Sequence, residues 1–208
     1  MGFVRDERQA IVSTMQQAGA DAPTLCEGWT VRDLAAHLVL RERRPDAAPG
    51  ILLPPLSGYT ARVQNSIANR SFGELLDAVR QGPPRYSPFR FFDEQANLVE
   101  FIVHHEDVRR ARPDWEPREL PERVRRALWK SAAMLGRRAY STAPAPVALA
   151  VPDGPTAQVK RGSGEPVTLR ARPEELLLHA FGRDAVRIQF DGPADAARAV
   201  RDMKRTIP

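Results

Sequence analysis

Thr30-Val31-Arg32-Asp33-Leu34-Ala35-Ala36-His37-Leu38 is the stretch on which the reading of this chain turns. Thr30 is a helix-capping residue type, and Asp33 stands three residues on, where the acid of a capping box belongs. Leu34, Ala35, Ala36, Leu38 and Val39 supply apolar positions, so the pattern predicts a helix from about Val31 to Arg43. His37 falls inside that helix, on or beside its apolar stripe.

Working outward, the chain up to about Ser141 reads as helices. Phe3 to Met15 places Phe3, Val4, Ile11, Val12 and Met15 among charges at mixed three- and four-residue spacing. Pro45, Pro49, Pro54 and Pro55 force a non-helical connection. Ser71-Phe72-Gly73-Glu74 is a second capping box, opening a short helix toward Arg80 that Gly82-Pro83-Pro84 closes. Longer helices are expected from about Asp93 to Ala111 and from Pro121 to about Arg138.

After Ala143-Pro144-Ala145-Pro146 the texture changes. Val147 to Val151, Ala157 to Lys160 and Val167 to Arg170 are short apolar or alternating segments separated by Asp153-Gly154-Pro155 and Gly162-Ser163-Gly164, the punctuation of a β meander. A helix over Pro173 to Ala180, a strand over Val186 to Phe190 and a helix from Ala194 to Lys204 complete the pattern. The fold class expected is α+β, with a helical bundle over residues 1–142 and a small α/β domain over residues 143–208.

Composition removes several classes of function. One cysteine in 208 residues cannot form an internal disulfide, so a stapled secreted scaffold is excluded. The uncharged run Ala143 to Val151 is far shorter than the roughly 20 apolar residues of a spanning helix. Met1 to Glu7 turns charged before a hydrophobic signal region develops, so a soluble cytoplasmic protein without a membrane partner is the expectation. Net charge is +5, and all basic residues except Lys130, Lys160 and Lys204 are arginine. These arginines interleave with acids, as in Arg5-Asp6-Glu7-Arg8, and aromatic residues make up 7% of the chain; neither feature builds a nucleic-acid face.

The four histidines stand at 37, 104, 105 and 179. Glu100 and His104 are one helical turn apart and can hold one ion together, carboxylate oxygen beside imidazole nitrogen. If their helix neighbours that of His37, the three residues form a two-histidine, one-carboxylate set with coordination positions left open, the ligand count of a catalytic zinc site. Asp33 precedes His37 by one turn and either orients its ring or serves only as a cap. Asp107 follows His104 by three residues and either orients that ring or pairs with Arg110 or Arg112. Cys26 is either a nucleophile or a thiol packed among apolar neighbours, and Trp29 a pocket wall or a core residue.

The run Leu25-Cys26-Glu27-Gly28-Trp29-Thr30-Val31-Arg32-Asp33-Leu34-Ala35-Ala36-His37-Leu38 resembles the N-terminal signature of the mycothiol-dependent maleylpyruvate isomerase family, within the DinB-like metal-binding helical bundles. Glu100-Phe101-Ile102-Val103-His104-His105-Glu106-Asp107 is similar to that family's Glu-x-x-x-His-x-x-Asp helix. The resemblance implies an up-down bundle in which His37, Glu100 and His104 surround a divalent metal, usually zinc. It selects His104 over His105, which points about 100° away as a surface or interhelical residue. Glu175 to Arg183 is similar to the end of the family's small C-terminal domain, which resembles a sterol-carrier fold.

The resemblance further implies mycothiol as a thiol cosubstrate and a small electrophile as its partner, in an isomerisation or a thiol S-transfer. Asp33 and Asp107 then support the ligands. Arg183 either pairs with a substrate carboxylate or is a surface arginine after a helix-ending glycine. A metal-binding module without turnover and a dimeric regulatory protein of the same fold are the alternatives, and the chain is read as a monomer or homodimer.

Overall fold

A computed structural model describes residues 2–84, 87 and 94–205, with side chains from 97 onward in the last segment. It has mixed helix and sheet content, as α+β requires, and the chain divides into two compact units, 2–116 and 117–205 over the described residues. No helix among the described residues is long and apolar enough to cross a membrane.

The first unit is helical: α1 (Phe3–Ala18), α2 (Val31–Arg43), α3 (Ser57–Ala68), α4 (Phe72–Gln81) and α5 (Glu94–Arg109). Both expected capping boxes form. Thr30 accepts from the Asp33 amide while the Asp33 carboxylate accepts from the Thr30 amide, and Ser71 and Glu74 do the same for α4. Helix α1 packs on α5 and α4, and α2 on α3 and α4. Ile11, Met15, Leu34, Leu38, Leu40, Leu75 and Phe101 are fully buried where they meet. The expected start of α5 at Asp93 lies outside the described residues.

Arg8 crosses this core. Its guanidinium grips Glu42 with two bonds of 2.5 and 2.7 Å, donates to the Val79 carbonyl at 2.8 Å and lies 4.3 Å over the Phe101 ring. One buried side chain thereby ties α1 to α2, α4 and α5.

The proline-rich connection is non-helical only in part. Two 3-10 turns, Ala48–Ile51 and Pro54–Leu56, lead directly into α3, which begins at Ser57 and was not foreseen. Prolines at the head of each turn are compatible with it, because the missing amide falls where no helical partner exists. Thr60 donates to the Ala47 carbonyl at 2.6 Å, and a Cβ on Gly50 would lie 2.0 Å from the Thr60 hydroxyl, so only glycine permits this approach.

The second unit contains α6 (Glu122–Ala139), β1 (Val147–Ala150), β2 (Thr156–Lys160), β3 (Val167–Arg170), α7 (Pro173–Ala180), β4 (Gln189–Asp191) and α8 (Ala194–Asp202). The unit therefore starts ahead of α6, rather than at the boundary near residue 142 that the change of texture in the sequence suggests. Helix α6 packs on α7 and β2, and a Cβ on Gly136 would come within 3.1 Å of Leu149 and Val159, so its small-residue face is cut to fit the sheet.

The strands do not form a meander. Their order is β2-β1-β3-β4, with β1 antiparallel to β2 but parallel to β3, Leu149 opposite Leu169. β1 is central and buried at all four positions, which is what its unbroken Val-Ala-Leu-Ala run encodes. The expected strand over Val186 to Phe190 is displaced to 189–191, pairing antiparallel with β3.

Candidate metal centre

The site begins with the loop ahead of α2. The Trp29 amide donates to the Cys26 carbonyl at 3.0 Å, and Pro23 bridges to Thr30. The Leu25 amide donates at 3.0 Å to the Asp107 carbonyl, one of the last four carbonyls of α5, which a helix leaves without an internal partner. This bond seats the Cys26 loop against the end of α5 while α2 carries His37 toward the middle of α5.

His37, Glu100 and His104 meet there. The Nε2 atoms of His37 and His104 each lie 3.3 Å from Glu100 Oε1, and the ligating atoms of the trio all lie within 4.8 Å of one another. The imidazole rings sit edge to face, 5.2 Å apart, with Trp29 5.1 Å beyond His37. Side-chain exposure is 8% for His37, 12% for His104 and 24% for Glu100, so the cluster is most accessible on the glutamate side.

The donor set fits a divalent cation. Charge-assisted N–H···O bonds close to about 2.7–2.9 Å, shorter than these contacts. Two bonds of about 2.0–2.1 Å meeting at a tetrahedral angle separate their ligand atoms by about 3.3 Å, the spacing observed. The second nitrogen of His104 is committed elsewhere: Nδ1 lies 2.9 Å from Asp107 Oδ2. With its proton held there, Nε2 presents a lone pair toward the carboxylate, an arrangement that needs a cation between the two, either a proton or a metal.

The charges follow this geometry. Burial, with the nearby His104 and Arg41 charges, outweighs the Glu100 hydrogen bond and lowers the His37 pKa below the ordinary imidazole value. Burial alone would raise Glu100, but hydrogen bonds from His104 and His37 hold it well below the usual carboxylate range. Burial alone would lower His104, but Asp107, Cys26 and Glu100 together hold it well above the ordinary value. In the metal-free protein this leaves carboxylate, imidazolium and neutral imidazole side by side.

Two further residues enter, Arg41, which no motif marks, and Cys26. Arg41, one turn beyond His37, places Nε 3.4 Å from Glu100 Oε1 and donates to Asn97 Oδ1 at 2.9 Å. Cys26, a nucleophile or a packed thiol by its sequence, does touch the core, but its Sγ also donates to Asp107 Oδ2 at 3.1 Å and lies 3.9 Å from His104 Nδ1. Cys26, His104 and Asp107 form a second trio of possible ligands sharing the His104 ring. The signal was present, since Cys26 shares a motif with His37 and Asp107 shares one with His104, but the thiol and its histidine are 78 residues apart.

The remaining expectations separate. Asp107 is buried beside His104, so its contacts include the ring-orienting one. Asp33 hydrogen-bonds Thr30, at 2.9 Å to the amide and 2.6 Å to the hydroxyl, and acts as the cap. His105 is interhelical, with Nδ1 2.7 Å from Glu7 and Nε2 2.8 Å from Thr14 on α1. Arg183 belongs to the second unit, where it donates to the Phe181 carbonyl at 2.6 Å. Comparison of the chain with protein-family models, with curated proteins and with solved structures finds no match in any of the three.

Proposed function

We propose that the first unit is a DinB-like bundle whose His37, Glu100 and His104 hold zinc or another divalent cation. On the same reading, the second unit is sterol-carrier-like and the protein is a mycothiol-dependent isomerase or thiol S-transferase acting on a small electrophile. The observation that carries the reading is the pair of 3.3 Å contacts from two imidazole nitrogens to one carboxylate oxygen, longer than charge-assisted hydrogen bonds and equal to the edge of a zinc tetrahedron.

Held by His37, Glu100 and His104, a divalent cation would supply Lewis acidity that favours the thiolate of a small thiol at neutral pH. The chain's own residues prepare for it. Asp107 fixes the tautomer of His104, Arg41 holds the Glu100 carboxylate, and Trp29 limits the swing of His37. The greater exposure of Glu100 leaves an approach for a small ligand. A thiolate that adds to an activated double bond permits rotation, and its elimination returns the isomer; a thiolate that stays attached gives the transfer product.

Elemental analysis of untreated protein, followed by mycothiol consumption with an electrophile before and after chelation, tests this. One divalent ion per chain and metal-dependent thiol consumption support the enzyme, whereas metal without thiol dependence reduces it to a metal-binding module. His37→Ala is expected to keep the fold and lose the ion; undiminished binding in that variant would overturn the ligand assignment.

A further inference from the structure

The second unit contains a cavity of about 520 Å³, within the size range of small-molecule sites, between the end of α7, the segment leading into β4, and α8. His179 is among the residues that line it. Tyr140 is fully buried and its hydroxyl lies 2.6 Å from His179 Nδ1, the two rings stacked at 5.9 Å. Burial raises the Tyr140 pKa, so the phenol keeps its proton, and with Nδ1 its hydrogen-bond partner among the described residues it donates to that nitrogen. The ring proton of the neutral imidazole then sits on Nε2, where no acceptor among the described residues meets it, although His179 is 2% exposed.

A second buried donor lines the same cavity. Arg205 has a side chain 4% exposed; Nη1 donates to the carbonyls of Arg201 and Met203, at 2.8 and 3.2 Å, and Nη2 to Asp184. Its Nε has no acceptor among the described residues. The Arg201 guanidinium lies 4.8 Å over the Phe190 ring, which packs T-shaped with His179 at 5.5 Å between centroids. Burial and then the charges of Arg205 and Arg201 push the His179 pKa down to about 3, so this ring is neutral in the positive field of the two arginines.

Buried N–H groups without acceptors are uncommon, and two on residues that line one cavity mark where oxygens brought from outside would be bound. Val186, Ile188, Phe190 and Met203 give the rest of the lining an apolar character. Asp184 and Asp202 line it too and partly offset the two arginines, which suits a singly charged head rather than a doubly charged phosphate. We propose that this cavity binds a small amphipathic monocarboxylate, its head at His179 and Arg205 and its body against Ile188, Phe190 and Met203. The site lies wholly within the second unit and stands independently of the metal centre.

Titration calorimetry of the full chain with 4-phenylbutanoate, against 4-phenylbutan-1-ol as the uncharged counterpart, tests the proposal. Saturable binding of the acid is expected, with a Kd of about 1 mM or tighter, and the alcohol weaker by about tenfold or more. Nitrogen NMR should show the His179 Nε2 signal move as the acid saturates. His179→Phe, which keeps a ring and removes the donor, is expected to weaken the acid about tenfold. Arg201→Gln, at an exposed position, should weaken it several-fold and serves if His179→Phe fails to fold. Absence of saturable heat, equal affinity for acid and alcohol, an unmoved His179 signal, or full affinity in Arg201→Gln would each overturn the proposal.

Discussion

His104 is used on both sides: Nδ1 toward Asp107 and the Cys26 thiol, Nε2 toward Glu100. Asp107→Asn can still accept a hydrogen bond from Nδ1 but no longer lends it negative charge, so metal affinity should fall about 10- to 100-fold with the fold retained, read by competition with a chromogenic chelator. An unchanged affinity would mean that the contact between Asp107 and His104 does not support the ligand. Asp33 is the instructive contrast, lying one turn from His37 and yet bonded to Thr30. Asp33→Ala should cost about 1 kcal/mol in thermal unfolding through the lost cap, with metal stoichiometry unaltered.

Among elements, the tie of α1 to α2 through Arg8 and Glu42 bears most on where His37 sits, because Glu42 lies on the same helix. Glu42→Ala leaves a buried guanidinium facing the Val79 carbonyl without its carboxylate, and urea unfolding should show a loss of about 3–5 kcal/mol. Replacing both partners, Arg8→Met with Glu42→Leu, should recover much of that loss, since no uncompensated charge remains. Failure of the double variant to recover would show that the pair's bonds, rather than avoidance of an unpaired charge, dominate.

For the whole molecule, pH and metal act in opposite directions. In the metal-free chain, the lowered Glu100 pKa contributes stability above the usual carboxylate value of 4.5 that is lost as pH falls through its folded value. The raised His104 pKa contributes stability below 6.5 that is lost as pH rises through its folded value. A metal must displace the His104 proton, so its affinity climbs with pH through that same raised value. Denaturation series across pH should therefore show the chelated protein weakening on the alkaline side while the zinc-loaded protein holds. At free zinc 100-fold above Kd the gain is about 2.7 kcal/mol. Coincident curves with and without zinc would count against the metal centre.

Much of this was legible along the chain because it is local. Both capping boxes, the helices they open and the one-turn spacing of Glu100 and His104 depend on residues within a few positions of one another. The motif that carries His37 and the one that carries Glu100 and His104 marked the residues that meet. What the sequence could not determine is pairwise and distant. Whether Asp33 or Asp107 reaches a histidine, that Cys26 lies against Asp107, and that Arg41 holds Glu100 all depend on which helix faces lie together. The β1–β3 pairing and the assignment of α6 to the second unit depend likewise on burial across the whole unit, since an apolar strand states that it is covered without stating by which neighbours. Hydrogen-bond geometry within a turn is set by local spacing, whereas partners separated by tens of residues are selected by the packing of the entire core.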